Sequence, residues 1–356
     1  MRIAQVAPLY ESVPPQTYGG TERVVSYLTE ELVRQGHDVT LFASGDSVTQ
    51  ARLIATRDRA LRLDDNCIDH LAHQVVLLEH VFKRTSDFDV IHFHTDYLHF
   101  PLSRREKIAQ VTTLHGRLDI PDLIPVYQEF PEMPLVSISE AQREPLPRVN
   151  WRATIYHGLP DDLYTFRGEP GRYLAFLGRI SPEKRVDRAI DISKRVGIPL
   201  KIAAKVDTVD RKYFEDHVQP LLDDSLIEYV GEIGEADKNE FLRNAYCLLF
   251  PIDWPEPFGL VMVEAMACGT PVIAYRHGSV PEVMEEGVTG FVVEDLEEAV
   301  TAVNQVGTLQ RRRCREVFEK RFSVARMARD YLRVYDEMSA HQWQPLGTGR
   351  VPLWKS

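Results

Sequence analysis

The hydrophobic positions of the chain fall into two successive series of short apolar runs, with helical spacing between the runs. The first series comprises runs at residues 3–6, 39–42, 90–94, 111–114 and 135–138, with a helical pattern over about residues 21–35. Short apolar runs that alternate with amphipathic segments are typical of a parallel α/β sheet. The pattern therefore predicts a first parallel-sheet domain over about residues 1–165.

A second series of the same kind follows a stretch rich in Pro, Gly and Asp at residues 151–172, which we interpret as a linker. Its apolar runs are residues 173–177, 200–204, 227–230, 247–250, 272–274 and 291–293. These runs predict a second parallel-sheet domain over residues 166–321. Ligands of open parallel sheets bind beyond the carboxyl ends of the strands, so two Rossmann-like domains facing across a cleft are expected.

The end of the chain shows one more helical pattern, at about residues 322–340, and then a tail at residues 341–356 without a period. Apolar residues of the last helical pattern lie on one side, as in a helix that packs on a sheet. We expect this helix to pack back on the first domain.

Composition narrows the classes of function. The 356 residues include 44% hydrophobic residues, enough for two cores, and the formal net charge of −11 argues against nucleic acid as a partner. Two short basic clusters, at residues 104–107 and 311–313, are expected to be solvated helix faces, so a peripheral membrane contact is disfavoured. The four cysteines are scattered, which favours a reducing compartment, predicts no metal site and makes the cytoplasm the expected location.

Residues 254–271 carry the most informative pattern. Prolines pin the loop, Gly259 precedes a helical segment, and Gly269 follows it. The first N–H groups of such a helix are free to bind anions or hydroxyl oxygens. Glu256 lies just before this helix end and Glu264 inside an otherwise apolar helix, where a carboxylate needs hydroxyl donors to offset burial. The segment predicts a site for a ligand with paired hydroxyl groups.

The spacing Glu256-x7-Glu264, within Glu-Pro-Phe-Gly-Leu and Glu-Ala-Met-Ala-Cys-Gly-Thr-Pro-Val, resembles the signature of glycosyltransferase family 4. The resemblance covers most of the chain and implies the α/β GT-B fold and a retaining transferase. It also implies that Glu256 contacts donor-sugar hydroxyls and that the backbone of Phe258, Gly259 and Leu260 holds the sugar. Glu264 is expected to take the ribose hydroxyls.

A second motif, Leu-Gly-Arg-Ile-Ser-Pro-Glu-Lys, runs from a strand toward a helix. Ser181 suits an N-cap and Pro182 a first helical position, which predicts that Lys184 lies in the first helical turn. Arg179 and Lys184 could then converge on one anion. The resemblance makes this pair the diphosphate clamp of the family, with Lys205 as a third candidate cation.

Two glycine-containing loops add to the expected nucleotide site. Gly19 and Gly20 precede the first long helix, where a backbone can approach a phosphate closely. By the resemblance, Gly20 lies nearest the donor phosphate. Ile233, within Gly-Glu-Ile-Gly, is expected to border the nucleotide base.

The remaining candidates lie where inner strands of the first domain end. By the resemblance, His115 lies at the donor sugar with its carbonyl close to the reacting carbon, so that it joins Arg179, Lys184 and Glu256 as a catalytic candidate. His94 and Ser139 are expected on the acceptor side. His157 departs from the family pattern, because relatives commonly have Asn-Gly-Val-Asp where this chain has His-Gly-Leu-Pro.

Together these features predict a retaining hexosyltransferase that uses a nucleotide diphosphate sugar, needs no cofactor and no metal ion, and glycosylates a sugar, lipid-linked or small-molecule acceptor. UDP-glucose is the first choice of donor and GDP-mannose the alternative. A non-catalytic nucleotide-sugar-binding protein, or a nucleotide-sugar epimerase of the same fold, remains an alternative. A phosphorylase of the same fold is disfavoured, because the sequence offers no context for a pyridoxal lysine. A dinucleotide-dependent dehydrogenase is disfavoured, because the first strand and helix lack Gly-x-Gly-x-x-Gly.

Overall fold

The computed structural model describes residues 1–16 and 19–340, and its strands form two sheets in which all pairs of neighbours are parallel. The first sheet comprises β1 (Arg2–Val6), β2 (Asp38–Ala43), β3 (Arg52–Ala55), β4 (Val90–Phe93), β5 (Gln110–Thr113), β6 (Leu135–Ser137) and β7 (Trp151–Thr154). The second comprises β8 (Tyr173–Ile180), β9 (Leu200–Val206), β10 (Ile227–Gly231), β11 (Ala245–Phe250), β12 (Val272–Tyr275) and β13 (Gly290–Val293). The two predicted parallel sheets are therefore present.

Both sheets are doubly wound in the same way. The first has the order β3-β2-β1-β4-β5-β6-β7 and the second the order β10-β9-β8-β11-β12-β13. In each, the order reverses beside the first strand, between β1 and β4 in one sheet and between β8 and β11 in the other. Loops that leave two such strands diverge to opposite faces and open a crevice, which is where ligands of this architecture bind.

Helices cover both faces of each sheet. In chain order they are α1 (Gly20–Arg34), α2 (His70–Phe82), α3 (Phe100–Ser103), α4 (Leu123–Glu129), α5 (Val186–Val196), α6 (Arg211–Tyr213), α7 (Glu235–Arg243), α8 (Leu260–Cys268), α9 (Val280–Val283), α10 (Leu296–Gln305), α11 (Arg311–Arg321) and α12 (Val324–Ala340). In the second sheet, Ile190 of α5 and Val303 of α10 share a core on one face, while Met262 and Met266 of α8 pack on the other. None of the helices in the described part of the chain is long and apolar enough to cross a membrane.

The last helix leaves the second sheet and packs on the first. Met327, Tyr331 and Tyr335 of α12 are buried in one core with Ile3 and Val90 of the first sheet. Helix α12 also packs against α1. The end of the chain thus closes the face of the first sheet, while residues 341–356, the expected tail, lie outside the described residues.

The structure differs from the sequence-based expectation at two strands and a helix. Residues 151–172 were interpreted as a linker, yet Trp151–Thr154 is the edge strand β7, and Arg52–Ala55 is the opposite edge, β3. Both strands are only partly buried, so neither shows the apolar run of an inner strand. Helix α2 was not predicted because its exposed face carries the apolar residues Leu71, Val75 and Val76. Its sequence therefore does not separate an apolar face from a polar one.

Candidate active site

A cleft of about 520 Å³ lies between the two sheets, at the carboxyl ends of their strands. The segment after β1 supplies Gly19 and Gly20, and the end of β4 leads into His94, so one wall is the switch point of the first sheet. The end of β8 supplies Arg179 and the loop after β11 supplies Glu256, at the switch point of the second sheet. Both crevices of the doubly wound sheets therefore open into one site.

Nearly all of the predicted site residues line this cleft. They are Gly19, Gly20, His94, His115, Arg179, Lys184, Lys205, Ile233, Glu256, Phe258, Gly259, Leu260 and Glu264. They come from seven separate stretches of the chain, and the fold brings these stretches together. A side chain at Gly20 would meet Leu260 across the cleft at 3.9 Å, which shows how closely the two walls approach.

Helix α8 begins at the cleft because of one glycine. Gly259 has φ +77°, and a Cβ atom there would lie 2.7 Å from the Met262 methyl carbon and 3.2 Å from the Phe250 ring. Only glycine adopts this backbone and fits this space without strain. The N-terminal end of the helix consequently opens into the cleft, where its free N–H groups favour oxygen ligands and negative charge.

Lys184 and Glu256 form an ion pair at the centre of the second wall. The ammonium contacts Glu256 Oε2 and lies 4.7 Å from the centroid of the Trp254 ring. Both side chains are largely shielded from water, at 16% and 12% exposure. A partly buried pair of this kind is held in place, so the lysine and the carboxylate are presented to a ligand at a defined position.

The backbone that carries Lys184 differs from the expected helix. Pro182–Lys184 form a single 3₁₀ turn, Arg185 follows in the left-handed conformation at φ +51°, and α5 begins only at Val186. The prediction that Lys184 lies in the first turn of the helix was wrong, because Arg185 interrupts the helical backbone. Ser181 forms no side-chain cap.

Two further cations lie at the ends of neighbouring strands. The parallel register of β8 and β9 places Arg179 beside Lys205. Asp207 lies between them, 3.4 Å from a guanidinium nitrogen of Arg179 and 3.2 Å from Lys205 Nζ, and Glu183 Oε1 lies 3.0 Å from the same guanidinium. With Lys184, this wall of the cleft therefore carries three cations, which a dianionic or trianionic ligand would engage.

Glu264 is buried, at 3% exposure, and has a partner that the sequence did not reveal. Lys238 of α7 lies 3.2 Å from Glu264 Oε1 and 3.4 Å from Glu235. Arg23, on helix α1 of the first sheet, also forms an ion pair with Glu235. Buried charges are tolerated when they are paired, and here the pairing links the two walls of the cleft.

The first wall includes three neutral histidines. Burial lowers the pKa of His115 to about 3 and that of His94 and His157 well below the usual value, so all three rings are uncharged near neutral pH. His115 stacks on His157 at 5.3 Å between ring centroids, and His157 packs edge-on against Phe258 at 4.8 Å. His157, which departs from the family pattern, thus joins the first wall to the loop that carries Glu256.

Two family models match the chain. The model described as Glycosyltransferase Family 4 matches residues 18–158, and the model described as Glycosyl transferases group 1 matches residues 166–321. The chain belongs to the group 1 glycosyltransferases. The first range covers β2 to β7 and the second covers β8 to β13, and together they include every predicted site residue.

Curated relatives of this glycosyltransferase are similar over parts of their length. An uncharacterized glycosyltransferase from Methanocaldococcus jannaschii is 29% identical over 199 residues, which cover 53% of this chain and 55% of that protein. A second from the same organism is 24% identical over 338 residues, covering 82% and 85%. D-inositol 3-phosphate glycosyltransferase from Mycolicibacterium smegmatis is 32% identical over 150 residues, covering 38% and 30%. The chain thus spans about half the length of the first relative.

Solved structures show the same fold. A glycosyltransferase involved in avilamycin A biosynthesis matches with a TM-score of 0.74 at 23% identity, over 95% of this chain and 98% of that one. Sucrose-phosphate synthase from Thermosynechococcus elongatus matches with a TM-score of 0.77 at 19% identity, over 95% and 99%. HepE from Anabaena, solved in complex with UDP-glucose, matches with a TM-score of 0.69 at 18% identity, over 96% and 100%. The fold of this glycosyltransferase is therefore GT-B.

Two acceptor-side predictions meet a different environment in the structure. Ser139 is fully buried and does not line the cleft of the glycosyltransferase; its hydroxyl accepts a hydrogen bond from the Gln142 N–H at 3.0 Å. His94 lines the cleft, but both of its ring nitrogens are engaged within the protein, at His115 and Gln5. Ser139 therefore supports a turn, and His94 offers no unpaired nitrogen to an acceptor.

Several cleft residues had no signal in the sequence. Lys238 and Arg23 contact the site through ion pairs with residues far away in the chain. Asp96 lines the cleft two residues after His94, in the left-handed conformation at φ +49°. Left-handed backbone at a residue other than glycine is costly and recurs at functional sites, so the φ angle, rather than any motif, distinguishes Asp96.

The two walls are also tied by a carboxylate from α9. Glu282 accepts hydrogen bonds from the N–H groups of Glu140 at 2.7 Å and Ala141 at 2.6 Å, and from the Tyr156 hydroxyl at 3.2 Å. The sequence around Glu282 indicates no more than packing and turn chemistry. In the glycosyltransferase, Glu282 instead connects the second sheet's domain to the turn after β6.

Proposed function

We propose that this glycosyltransferase transfers a hexose from a nucleotide diphosphate sugar to a hydroxyl group of an acceptor, with retention at the anomeric carbon and without a metal ion. The main support for this proposal is that Arg179, Lys184 and Lys205 line the same cleft as the N-terminal end of α8. A nucleoside diphosphate has the charge and the oxygen atoms that such a wall stabilises.

The geometry supports separate tasks for the parts of the donor. The three cations stabilise the diphosphate as it departs, a task that a divalent cation performs in other enzymes. Glu256, on the loop before α8, accepts hydrogen bonds from sugar hydroxyls. Glu264 accepts hydrogen bonds from the ribose, and Lys238 forms an ion pair with that buried carboxylate. Ile233 borders the base.

In the proposed reaction, the acceptor hydroxyl oxygen bonds to the anomeric carbon on the face from which the diphosphate leaves. The bond between that carbon and the diphosphate oxygen breaks, and the acceptor proton passes to a departing phosphate oxygen. The products are a glycoside of unchanged anomeric configuration and a nucleoside diphosphate. Glu256 and Glu264 position the donor and form no covalent intermediate.

UDP-glucose is the first donor to test, because a solved structure of the same fold holds it, and GDP-mannose is the second. The enzyme is incubated with each donor and a panel of sugar, lipid-linked and small-molecule acceptors. Release of nucleoside diphosphate is measured with and without EDTA, and NMR assigns the anomeric configuration of the product.

A matched pair of variants ties turnover to the cleft. Glu256→Ala is expected to abolish release of nucleoside diphosphate, while Glu228→Ala, at an exposed carboxylate on β10, leaves it unchanged. Donor binding without release of nucleoside diphosphate would indicate a non-catalytic nucleotide-sugar-binding protein. Loss of activity in EDTA would contradict the metal-free reaction, and a product of inverted configuration would contradict retention.

A further inference from the structure

A chain of buried hydrogen bonds runs from the cleft to the last helix. His115 Nε2 lies 2.9 Å from His94 Nδ1, and His94 Nε2 lies 2.8 Å from Gln5 Oε1. Gln5 Nε2 donates to the Tyr335 hydroxyl at 3.0 Å, and that hydroxyl lies 2.7 Å from His92 Nδ1. Five side chains from β1, β4, α12 and the ends of β4 and β5 thus form one network beside the reacting site.

The direction of each hydrogen bond follows from the side-chain chemistry. The carbonyl oxygen of Gln5 can only accept, so His94 carries its single proton on Nε2 and leaves Nδ1 as an acceptor. His115 must then donate to His94, which places the proton of the His115 ring on Nε2. Its other nitrogen, Nδ1, is buried and has no hydrogen-bond partner within the described residues.

The far end of the network holds Gln5 in this orientation. Because Gln5 donates to Tyr335, the tyrosine hydroxyl gives its own proton to His92 Nδ1, and His92 Nε2 donates to Thr113 Oγ1 at 2.7 Å. In the reverse direction the Gln5 amide is rotated, so that its NH₂ group donates to His94 and His94 donates to His115. The proton of the His115 ring would then lie on Nδ1, which has no acceptor within the described residues. Buried N–H groups without acceptors are rare, so donation from His115 toward Gln5 is the more stable direction.

We propose that Gln5 and His94 are positioning residues that hold the His115 ring in the Nε2-protonated tautomer, with Tyr335 of α12 orienting Gln5. His115 Nδ1 is thereby left without a proton, and the ring is held in one orientation at the wall of the cleft. This inference rests on the proposed function for its catalytic consequence, but the tautomer is a property of the protein alone.

The tautomer is read directly by NMR. A long-range ¹H–¹⁵N correlation spectrum of protein labelled with ¹⁵N-histidine resolves the two nitrogens of each of the 12 histidines, and His115→Asn assigns the His115 signals. The expected wild-type result is a protonated Nε2 and an unprotonated Nδ1. A protonated Nδ1 in the wild type would overturn the proposal, whether or not sugar transfer is detected.

The variants separate positioning from a merely structural role. His94→Leu removes the acceptor and should give mixed His115 tautomers and a kcat lower by about 10-fold to 100-fold, with little change in donor KM, since misorientation acts on the reacting geometry. His94→Asn restores an acceptor at the position of Nδ1 and should recover the tautomer and most of kcat. Tyr335→Phe should give an intermediate mixture, because the Gln5 amide loses its partner.

His99 supplies the matched control. It is a buried histidine whose two nitrogens bond to Ser103 and Thr112, outside the network. His99→Asn should leave the His115 tautomer and kcat as in the wild type. If His94→Leu does not fold, Gln5→Met carries the same test. An unchanged His115 tautomer in His94→Leu or in Gln5→Met would overturn the proposal, as would a control that shifts it equally.

Discussion

The two walls of the cleft solve different problems with different chemistry. The second-domain wall consists of charged pairs, with Lys184 on Glu256 and with Arg179 and Lys205 around Asp207. On the first-domain wall, the neutral histidines His94 and His115 bond to one another, and His94 also bonds to Gln5. One wall matches a ligand with several negative charges, while the other provides fixed shape and directed hydrogen bonds.

The difference shows where charge is useful in such a site. A leaving diphosphate develops charge, so cations that exchange a carboxylate for a phosphate stabilise it. At the carbon that is attacked, orientation of the substrate matters more than charge. Buried neutral rings keep one orientation because few other orientations satisfy their hydrogen bonds. Four predictions test this contrast.

The largest effect is expected at Lys184. Lys184→Ala removes a cation from the departing diphosphate, and loss of one such group lowers kcat by about 10²-fold to 10³-fold. Steady-state release of nucleoside diphosphate measures it. Lys201→Ala, at a lysine of β9 that pairs with exposed Glu228, is the control and should behave as the wild type. Equal activity of the two variants would show that the charged wall does not stabilise the leaving group.

The start of α8 should be nearly as sensitive. Gly259→Ala places a methyl group against Met262 and Phe250 in left-handed backbone, which should lower the free energy of unfolding by about 2–4 kcal/mol and weaken donor binding. Gly287 has a similar φ of +70° with open space around it, so Gly287→Ala measures the backbone cost alone. Thermal unfolding of both variants and calorimetry with UDP compare them. The same Tm loss in both would remove the packing argument.

A third prediction concerns a carboxylate of the first wall. Burial raises the pKa of Glu22 from 4.5 to about 7, so the folded protein keeps a proton that the unfolded chain releases. This group therefore stabilises the fold fully below a pH of about 4.5, and the contribution is lost as the pH rises to about 7. At higher pH the raised pKa of Glu22 lowers the free energy of unfolding by about 3 kcal/mol relative to low pH.

Glu22→Gln should accordingly raise the Tm near pH 8 and change it little near pH 4. Glu30→Gln, at a partly exposed carboxylate of the same helix, is the control and should not stabilise the protein near pH 8. A Glu22→Gln Tm that follows the wild type at every pH would mean that folding does not raise the pKa of Glu22.

The smallest effect is expected at the contact between the walls. Glu282→Gln weakens the hydrogen bonds to the N–H groups of Glu140 and Ala141, which should cost about 1–2 kcal/mol. Glu286→Gln alters a comparable bond, to the Val292 N–H, within the second domain. Small-angle scattering should show a wider spread of domain orientations for Glu282→Gln alone. A matching spread in Glu286→Gln would indicate that Glu282 does not hold the walls together.

Much of the fold could be predicted from the sequence, because inner strands are buried on both faces and therefore form continuous apolar runs. The runs at residues 3–6 and 247–250 correspond to β1 and β11 with small shifts at their ends. The edge strand β7 was missed because its partly exposed residues mix polar and apolar side chains. The start of α5 was misplaced because Ser181 and Pro182 suit a helix start, while Arg185 interrupts the helix for a reason no local pattern shows.

The candidate site divides along the same lines. Glu256, Gly259 and Glu264 were recognisable because one loop and one helix carry them at fixed spacing. Lys238 and His157 were not identified as site residues, since each reaches the site through a segment whose position depends on the packing of a whole domain.

The amino-acid sequence by itself determined two parallel sheets, the glycine-flanked helix α8, and the cations at the end of β8 and in the turn after it, because local periodicity and short-range spacing suffice for each. Only the tertiary structure decided which groups pair: Lys238 with Glu264, Glu282 with the turn after β6, and Gln5 with Tyr335, 330 positions away. Hydrogen bonds and buried ion pairs depend on distances within a few tenths of an ångström. Such distances are fixed by the packing of distant segments, and spacing along the chain carries no record of them.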